Sequence, residues 1–207
     1  MKRATVAVLL TLASISAFSP AQAGPPQTVQ PDACEKELVR AAAKYKIPLP
    51  ILYAVGLTET GVNGKMHPFT LYIEGKDYQP KTLTEALARF KEANDRGVKL
   101  IDIGCMQANF YWHRAEFKSL EAMFDPRENV EQAARFLSEL KQRHGSWTMA
   151  AARYNAGPNN NVAQHRYVCR VMKNLVAVGV GAWTPSAKAF CDAPPPSPQQ
   201  AQVQQPD

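Results

Sequence analysis

The sequence contains no Cys-x-x-Cys, no His-Glu-x-x-His, no Lys/Arg run and no internal repeat. The first absence excludes a zinc ribbon and a thioredoxin-type redox motif. The second, with His67, His113, His144 and His165 scattered along the chain, leaves a metal site without support, and no metal or other cofactor is expected. The third argues against a nucleic-acid partner. Nor is there an apolar run long enough to span a bilayer: the longest, Ala4 to Phe18, is fifteen residues interrupted by Ser and Thr.

That run does have a reading. Preceded by Met1-Lys2-Arg3 and followed by Ser19-Pro20-Ala21-Gln22-Ala23, it has the n-region, h-region and Ala-x-Ala site of a signal peptide over residues 1–23. Cleavage is expected after Ala23, with export to the periplasm. No Cys follows the h-region closely, so neither a lipoprotein anchor nor any other stable membrane anchor is expected. Removing Lys2 and Arg3 lowers the net charge from +6 to +4, a modest basic balance that suits an anionic polymer and equally suits ordinary solubility. About 184 residues remain, enough for one domain with a real core. We place a mobile lead-in at 24–31, the domain at 32–180 and an extension at 181–207. The extension is Pro- and Gln-rich and expected to be disordered from about 193, having almost nothing to bury. All four cysteines, Cys34, Cys105, Cys169 and Cys191, lie beyond the cleavage site. An even count in an exported chain predicts disulfides, with three connectivities open.

The periodicity predicts a mainly α domain with a small β-hairpin, an α+β arrangement. Asp32-Ala33-Cys34-Glu35 has the form of a capping box, followed by the apolar stripe Leu38, Ala41, Ala42 and Tyr45. Ile47 to Pro50 turns the chain into a second helix. His67 to Ile73 is β-prone, Glu74 to Asp77 reads as a turn, Thr82 to Ala93 as a helix, and Val98 to Ile103 alternates like a strand. The hairpin therefore has a helix inserted between its strands. Phe110-Tyr111-Trp112-His113 is an aromatic patch suited to stacking on sugar rings, but in an α-rich domain we expect it in the core. Asp125-Pro126 opens a helix with the stripe Val130, Ala133, Ala134, Leu137 and Leu140, stopped by Gly145. Ser146 caps the next helix, and Val162 to Val178 is the last, with Val168, Val171, Met172 and Leu175 inward.

The second helix, Pro50 to Gly61, carries the most pointed chemistry. It is apolar nearly all round, which marks a buried helix, yet it holds one carboxyl group, Glu59, near its C-terminal end. Ile51, Val55 and Glu59 share one face. Burial and the helix's last carbonyls both disfavour the charged form and raise the pKa. At pH 7 an ordinary carboxyl is about 0.2% protonated; one raised to ~6 is roughly 10% protonated, which suits a general acid. The alternative for this stretch alone is a Glu at a helix end facing water.

Three pieces then stand in order: Thr58-Glu59-Thr60-Gly61, Gly104-Cys105-Met106-Gln107-Ala108-Asn109, and Tyr154-Asn155-Ala156-Gly157-Pro158. From about Cys34 to Val178 the chain resembles the family 1 lytic transglycosylases, whose soluble-lytic-transglycosylase (SLT) domain has a lysozyme-like α fold. The resemblance implies a lysozyme-like helical domain with the β-hairpin beside the cleft, acting on peptidoglycan glycan strands. It implies Glu59 as the catalytic acid. Thr60, standing where the family has Ser, Met106, Gln107, Asn109, Tyr154 and Asn155 are implied for the substrate cleft, with Tyr154 near the acid or the acetamido group. Cys105 replaces the family's Leu; some members with Gly-Cys-Met-Gln also carry a Cys at the start of helix one. This implies Cys34–Cys105, and with it Cys169–Cys191.

The implied reaction needs one carboxyl. Glu59 protonates the bridging oxygen between N-acetylmuramic acid and N-acetylglucosamine, then as carboxylate takes the proton from the C6 hydroxyl that closes a 1,6-anhydro ring. Activity is expected to be best at mildly acidic pH. A lysozyme-type muramidase is the first alternative; it needs a second carboxylate, for which Glu74, Asp77 and Asp102 are candidates, although Asp102 is expected to face solvent or cap a turn. The second is a non-catalytic, peptidoglycan-binding envelope-assembly protein. Small single-domain members of the family often serve a secretion, conjugation, pilus or flagellar machine, and such a partner, with a monomeric enzyme, is the expectation here.

Overall fold

The computed structural model describes residues 32–195. The expected signal peptide, its cleavage site, the lead-in and the tail from residue 196 onward lie outside the described residues. Helices α1 (Ala33–Tyr45) and α2 (Leu49–Thr60) form the expected tight pair. A small sheet follows, built from β1 (Leu71–Ile73), β2 (Lys76–Tyr78), β3 (Ile101–Ile103) and β4 (Ala108–Asn109), with α3 (Leu83–Asp95) inserted between β2 and β3. Short α4 (Phe110–His113), a 3-10 turn at Arg114–Glu116 and α5 (Leu120–Phe124) lead into the long α6 (Pro126–His144). Helices α7 (Trp147–Ala156), α8 (Asn161–Ala177) and α9 (Pro185–Asp192) complete the chain.

The helical half packs α1 on α6, α2 on α8, and α7 on both α6 and α8. Its core holds Leu38, Leu52, Val55, Val130, Leu137 and Tyr167, all wholly buried. A second core lies under the sheet, where Leu71, Ile73, Ile101 and Ile103 meet Phe90, Met123 and Phe124. The alternation read over Val98–Ile103 is real: Ile101 and Ile103 point into this core while Asp102 points out of it. The fold is thus mainly α with a small antiparallel sheet, the lysozyme-like α+β arrangement.

The expected hairpin is part of a four-stranded sheet in the order β2-β1-β3-β4. β1 and β3 do pair antiparallel across the inserted helix, Tyr72 opposite Asp102. The turn read at Glu74–Asp77 is shorter than expected. Only Glu74 and Gly75 form it, at φ 50° and 83°, and the chain continues at once as β2 with Ile73 opposite Lys76. Positive φ at both loop residues gives the right-handed hairpin twist, which a Gly at the second position makes easy. The capping box is not formed. Asp32 lies at φ 62° and makes no side-chain cap, and Glu35 instead accepts a hydrogen bond from the Met66 amide (3.0 Å). The caps at Asp125 and Ser146 and the Gly145 stop are as read, the Gly at φ 78°. Helix α9 was not anticipated.

Both implied disulfides are present, Cys34–Cys105 and Cys169–Cys191. The first ties α1 to the loop after β3, joining the helical half to the sheet. The second holds α9 to α8, where His165 Nε2 also donates to the Phe190 carbonyl (2.7 Å).

Candidate active site

Between the helical half and the sheet runs a cleft of about 480 Å³. Glu59 lies in it, at the C-terminal end of α2, and the cleft is also lined by Asp102, Gln107, Asn109, Trp112, Tyr154 and Asn155. The helix does not turn Glu59 out to bulk water. Leu52, Val55 and Gly56 are buried, so α2 is seated deep in the core, and its only acid opens onto the cleft. Burial pushes the Glu59 pKa up to about 7. The nearby Asp102 carboxylate pushes in the same direction, whereas a hydrogen bond from Tyr167 and the more distant Arg170 guanidinium oppose it.

Tyr167 was missed by the sequence reading. Its hydroxyl donates to Glu59 Oε1 at 2.5 Å, from a ring with no exposed surface. Burial holds its own pKa well above the ordinary tyrosine value, so it remains a donor across the neutral range. The Arg170 guanidinium, one turn further along α8, lies 5.5 Å from the centre of this ring. The signal was present: Tyr167 and Val171 are four residues apart on the buried face of α8.

Tyr154, expected near the acid or the sugar, lines the same cleft as Glu59, but its hydroxyl donates to the Met106 carbonyl at 2.7 Å. Its ring packs against Phe136 at 5.8 Å between centroids. Thr60 and Met106 do not reach the cleft. Thr60 is buried and its hydroxyl donates to the Cys105 carbonyl (2.9 Å); the Met106 side chain is wholly buried. Both are corrected from substrate contacts to supports of the loop 104–107. Gln107 lines the cleft, but at φ 49° its amide nitrogen donates to the Gly104 (2.9 Å) and Thr70 (3.3 Å) carbonyls.

This loop is pinned by a second residue the sequence reading passed over, Asn129 on α6. Wholly buried, it accepts from the Met106 amide and donates to the Ile103 and Met123 carbonyls, each at 2.8 Å. Gly104 packs against it at φ 81°; a Cβ there would meet Asn129 Nδ2 at 2.6 Å and the Met123 carbonyl oxygen at 2.9 Å. Glycine is required on both backbone and steric grounds.

Across the cleft, Asp102 faces inward, not toward bulk solvent. It stands opposite Asn109 in the β3–β4 ladder and accepts from Asn109 Nδ2 at 2.6 Å. Burial raises its pKa. Glu74, also at the cleft, is paired with Arg96 (2.9 Å), and Asp77 is exposed and does not line it. Half of the aromatic patch departs from the core placement expected: Phe110 packs on the core under the sheet, its ring centroid 4.7 Å from that of Phe90, and His113 is half-buried, but Tyr111 and Trp112 project outward. Trp112 is 69% exposed and lines the cleft, and Tyr111 is 57% exposed. Asn109 explains this: its Oδ1 accepts from the Tyr111 and Trp112 amides, starting α4 so that these two rings project outward.

The arrangement is one protonatable acid held by a buried phenol, facing a second acid and an exposed indole across an open groove. A search of curated proteins and one of solved structures each found no significant match. The family model for the transglycosylase SLT domain matches residues 38–175, a span that includes Glu59, the loop 104–109, Tyr154 and Tyr167, and the chain belongs to that family.

Proposed function

We propose that the protein is a peptidoglycan lytic transglycosylase that cleaves between N-acetylmuramic acid and N-acetylglucosamine, with Glu59 as acid and then base. The observation that carries the reading is the state of Glu59. A carboxyl with a pKa of about 7 is about half protonated at neutral pH, so the same group can deliver a proton and take one back. Protonation of the glycosidic oxygen leaves an oxocarbenium-like muramyl centre, which the sugar's own acetamido carbonyl stabilises. The new Glu59 carboxylate keeps its hydrogen bond from Tyr167 and removes the proton of the C6 hydroxyl. That oxygen bonds to C1 and closes the 1,6-anhydro ring. No water is consumed, and the intramolecular nucleophile makes a second enzymic base unnecessary. Trp112 offers an exposed face for a sugar ring, and Asn155 a polar contact on the opposite wall.

The inward-facing Asp102 favours a second reading, a muramidase in which this carboxylate activates water. The products separate the two. Mass spectrometry of muropeptides released from purified sacculi is expected to show ends one water lighter than reducing muropeptides, absent with Glu59→Gln. Reducing ends would transfer the assignment to the hydrolase with Asp102 as base. We further place the action in the periplasm, from the leader-like residues 1–23, as a monomer opening the wall locally for an envelope-spanning machine. If Glu59→Gln fully rescues the assembly defect of a deletion strain, a scaffold role replaces catalysis.

A further inference from the structure

Charge is divided unevenly along the described chain. Residues 32–140 hold fifteen Lys and Arg against sixteen Asp and Glu, whereas residues 141–195 hold seven against one, Asp192. The ion pairs all join residues between 37 and 135, and none of those seven cations is in one among the described residues. Three of the seven, Arg166, Arg170 and Lys173, recur at i, i+4 and i+7 on α8 and form one exposed stripe. The buried face of the helix, with Gln164, Tyr167 and Val171, lies on the other side.

Helix α9 lies beside this stripe. Cys169, bonded to Cys191, directly precedes Arg170, and His165, whose ring stacks on Phe190 at 4.4 Å, directly precedes Arg166. The chain therefore leaves α8 at Val178, reverses, and runs back along it. This returning segment lies beyond the residues matched by the family model, and α9 has no buried residue. Instead the segment turns apolar groups to solvent: Val180 is 51%, Phe190 46% and Trp183 40% exposed. Lys188, also exposed, stands two residues before Phe190. The disulfide thus keeps exposed rings next to unpaired cations.

We propose that the α8 stripe and the apolar residues between 178 and 190 form a docking surface for an anionic phospholipid bilayer. Arg166, Arg170, Lys173 and Lys188 meet headgroup phosphates, and Trp183 and Phe190 sit at the boundary with the acyl chains. That partner uses both chemistries: an anionic leaflet attracts Lys and Arg, and the headgroup boundary favours amphipathic aromatic rings. A polyanion such as a wall polymer would satisfy the cations and leave the rings in water. No described helix is long and apolar enough to cross a bilayer, so the contact is with its surface and is reversible. This docking goes beyond the reaction assigned to Glu59 and does not depend on it.

Co-sedimentation with vesicles tests it, using the chain from residue 24 onward, because the basic and apolar leader-like residues would bind lipid themselves. Vesicles of phosphatidylcholine alone are compared with vesicles rich in phosphatidylglycerol. Binding is expected to the second only, and to fall steeply at about 1 M salt, where the screening length is about 3 Å. Arg166→Glu with Lys173→Glu is expected to weaken it at least about 25-fold, about five-fold for each charge at the anionic surface. The same exchange at Lys36 and Lys118, exposed cations elsewhere on the domain, is expected to leave it within about two-fold. The fluorescence of Trp183, read as the difference between the parent chain and Trp183→Phe, is expected to shift to shorter wavelength on the anionic vesicles. All these variants should melt with the parent and release the same products from isolated sacculi, so failure of the docking and failure of the reaction are distinguishable. Equal binding to both kinds of vesicle, equal losses from the two charge exchanges, or an unmoved Trp183 emission would each overturn the proposal. Binding to sacculi that the Arg166 and Lys173 exchange abolishes, with none to vesicles, would overturn it too and give the surface to the wall polymer.

Discussion

Replacing Glu59 by Gln should stabilise the protein, and only above acidic pH. The ordinary Glu value of 4.5 applies to the unfolded chain, and about 7 to the folded one. Between those values the native state holds the Glu59 proton and the unfolded state has lost it. Native stability from this group is therefore fully present below about pH 4.5 and is lost as pH rises to 7. The difference corresponds to roughly 3 kcal/mol at most, and cleft water screens part of it, leaving about 2–3 kcal/mol. The substituted side-chain amide does not titrate, and its carbonyl oxygen still accepts from Tyr167. Thermal unfolding of wild type and Glu59→Gln should thus coincide near pH 4 and separate by pH 8, with the variant melting about 5–10 °C higher for a domain of this size. Other groups titrate in both proteins and cancel in the difference, apart from the small effect of Glu59 on Asp102. Two curves that stay parallel from pH 4 to 8 would show that Glu59 ionises like an exposed carboxyl, and would refute the buried-acid argument on which the mechanism depends.

Tyr167→Phe removes a hydrogen bond to the charged form of Glu59, so the basic limb of the pH–rate profile should move to higher pH while kcat falls roughly ten-fold from lost positioning; an unmoved limb would mean Tyr167 only packs. Asp102→Asn removes the nearby negative charge and should move the same limb to lower pH, with anhydro products retained; loss of all product would favour the hydrolase. Asn129→Ala leaves the Met106 amide and two carbonyls unpaired in the interior, and should lower stability by about 3 kcal/mol in denaturant titration with the cleft activity falling alongside. Replacing Cys34 and Cys105 by Ser opens a 71-residue loop and should lower stability by roughly 4 kcal/mol, read as a melting shift that reductant no longer deepens by the same amount.

Much of this site was legible because the chemistry sits where the sequence is locally unusual. An acid in an otherwise apolar helix needs no partner to be conspicuous, and α2 is buried as that pattern demands. The sheet was half legible for the opposite reason. β2 and β4 are three and two residues long, too short for alternation to register, and both form because β1 and β3 present edges to pair with. Trp112 and Tyr111 were misplaced because an aromatic cluster has the same composition whether it faces a core or a cleft; the Asn109 cap, a local backbone event, decides which. Tyr167 escaped notice because it is a tyrosine on a buried helical face outside the three motifs, and only the packing of α8 on α2 brings it to Glu59; Tyr154 shares the cleft with Glu59, but its hydroxyl is bonded to the Met106 carbonyl.

Burial is the main cause of the raised Glu59 pKa; the charged and hydrogen-bonding neighbours that adjust it come from both sides of the cleft, since α2 contributes no charge besides Glu59. The opposing influences come from different lobes. Tyr167 and Arg170, which favour the carboxylate, lie on α8 in the helical half; Asp102, which favours the protonated acid, lies on β3 in the sheet. Their balance holds only while the two lobes keep their spacing. The Cys34–Cys105 bridge, two of the three bonds of Asn129 and the hydrogen bond from Tyr154 to Met106 all cross from the helical half to the end of β3 and the loop that follows it. Together these restraints fix Asp102, one residue before the anchored Ile103 carbonyl, relative to Glu59. Loosening any of these restraints should therefore shift the basic limb of activity toward lower pH before it unfolds the domain, because the raising charge moves away while Tyr167 and Arg170 stay in place.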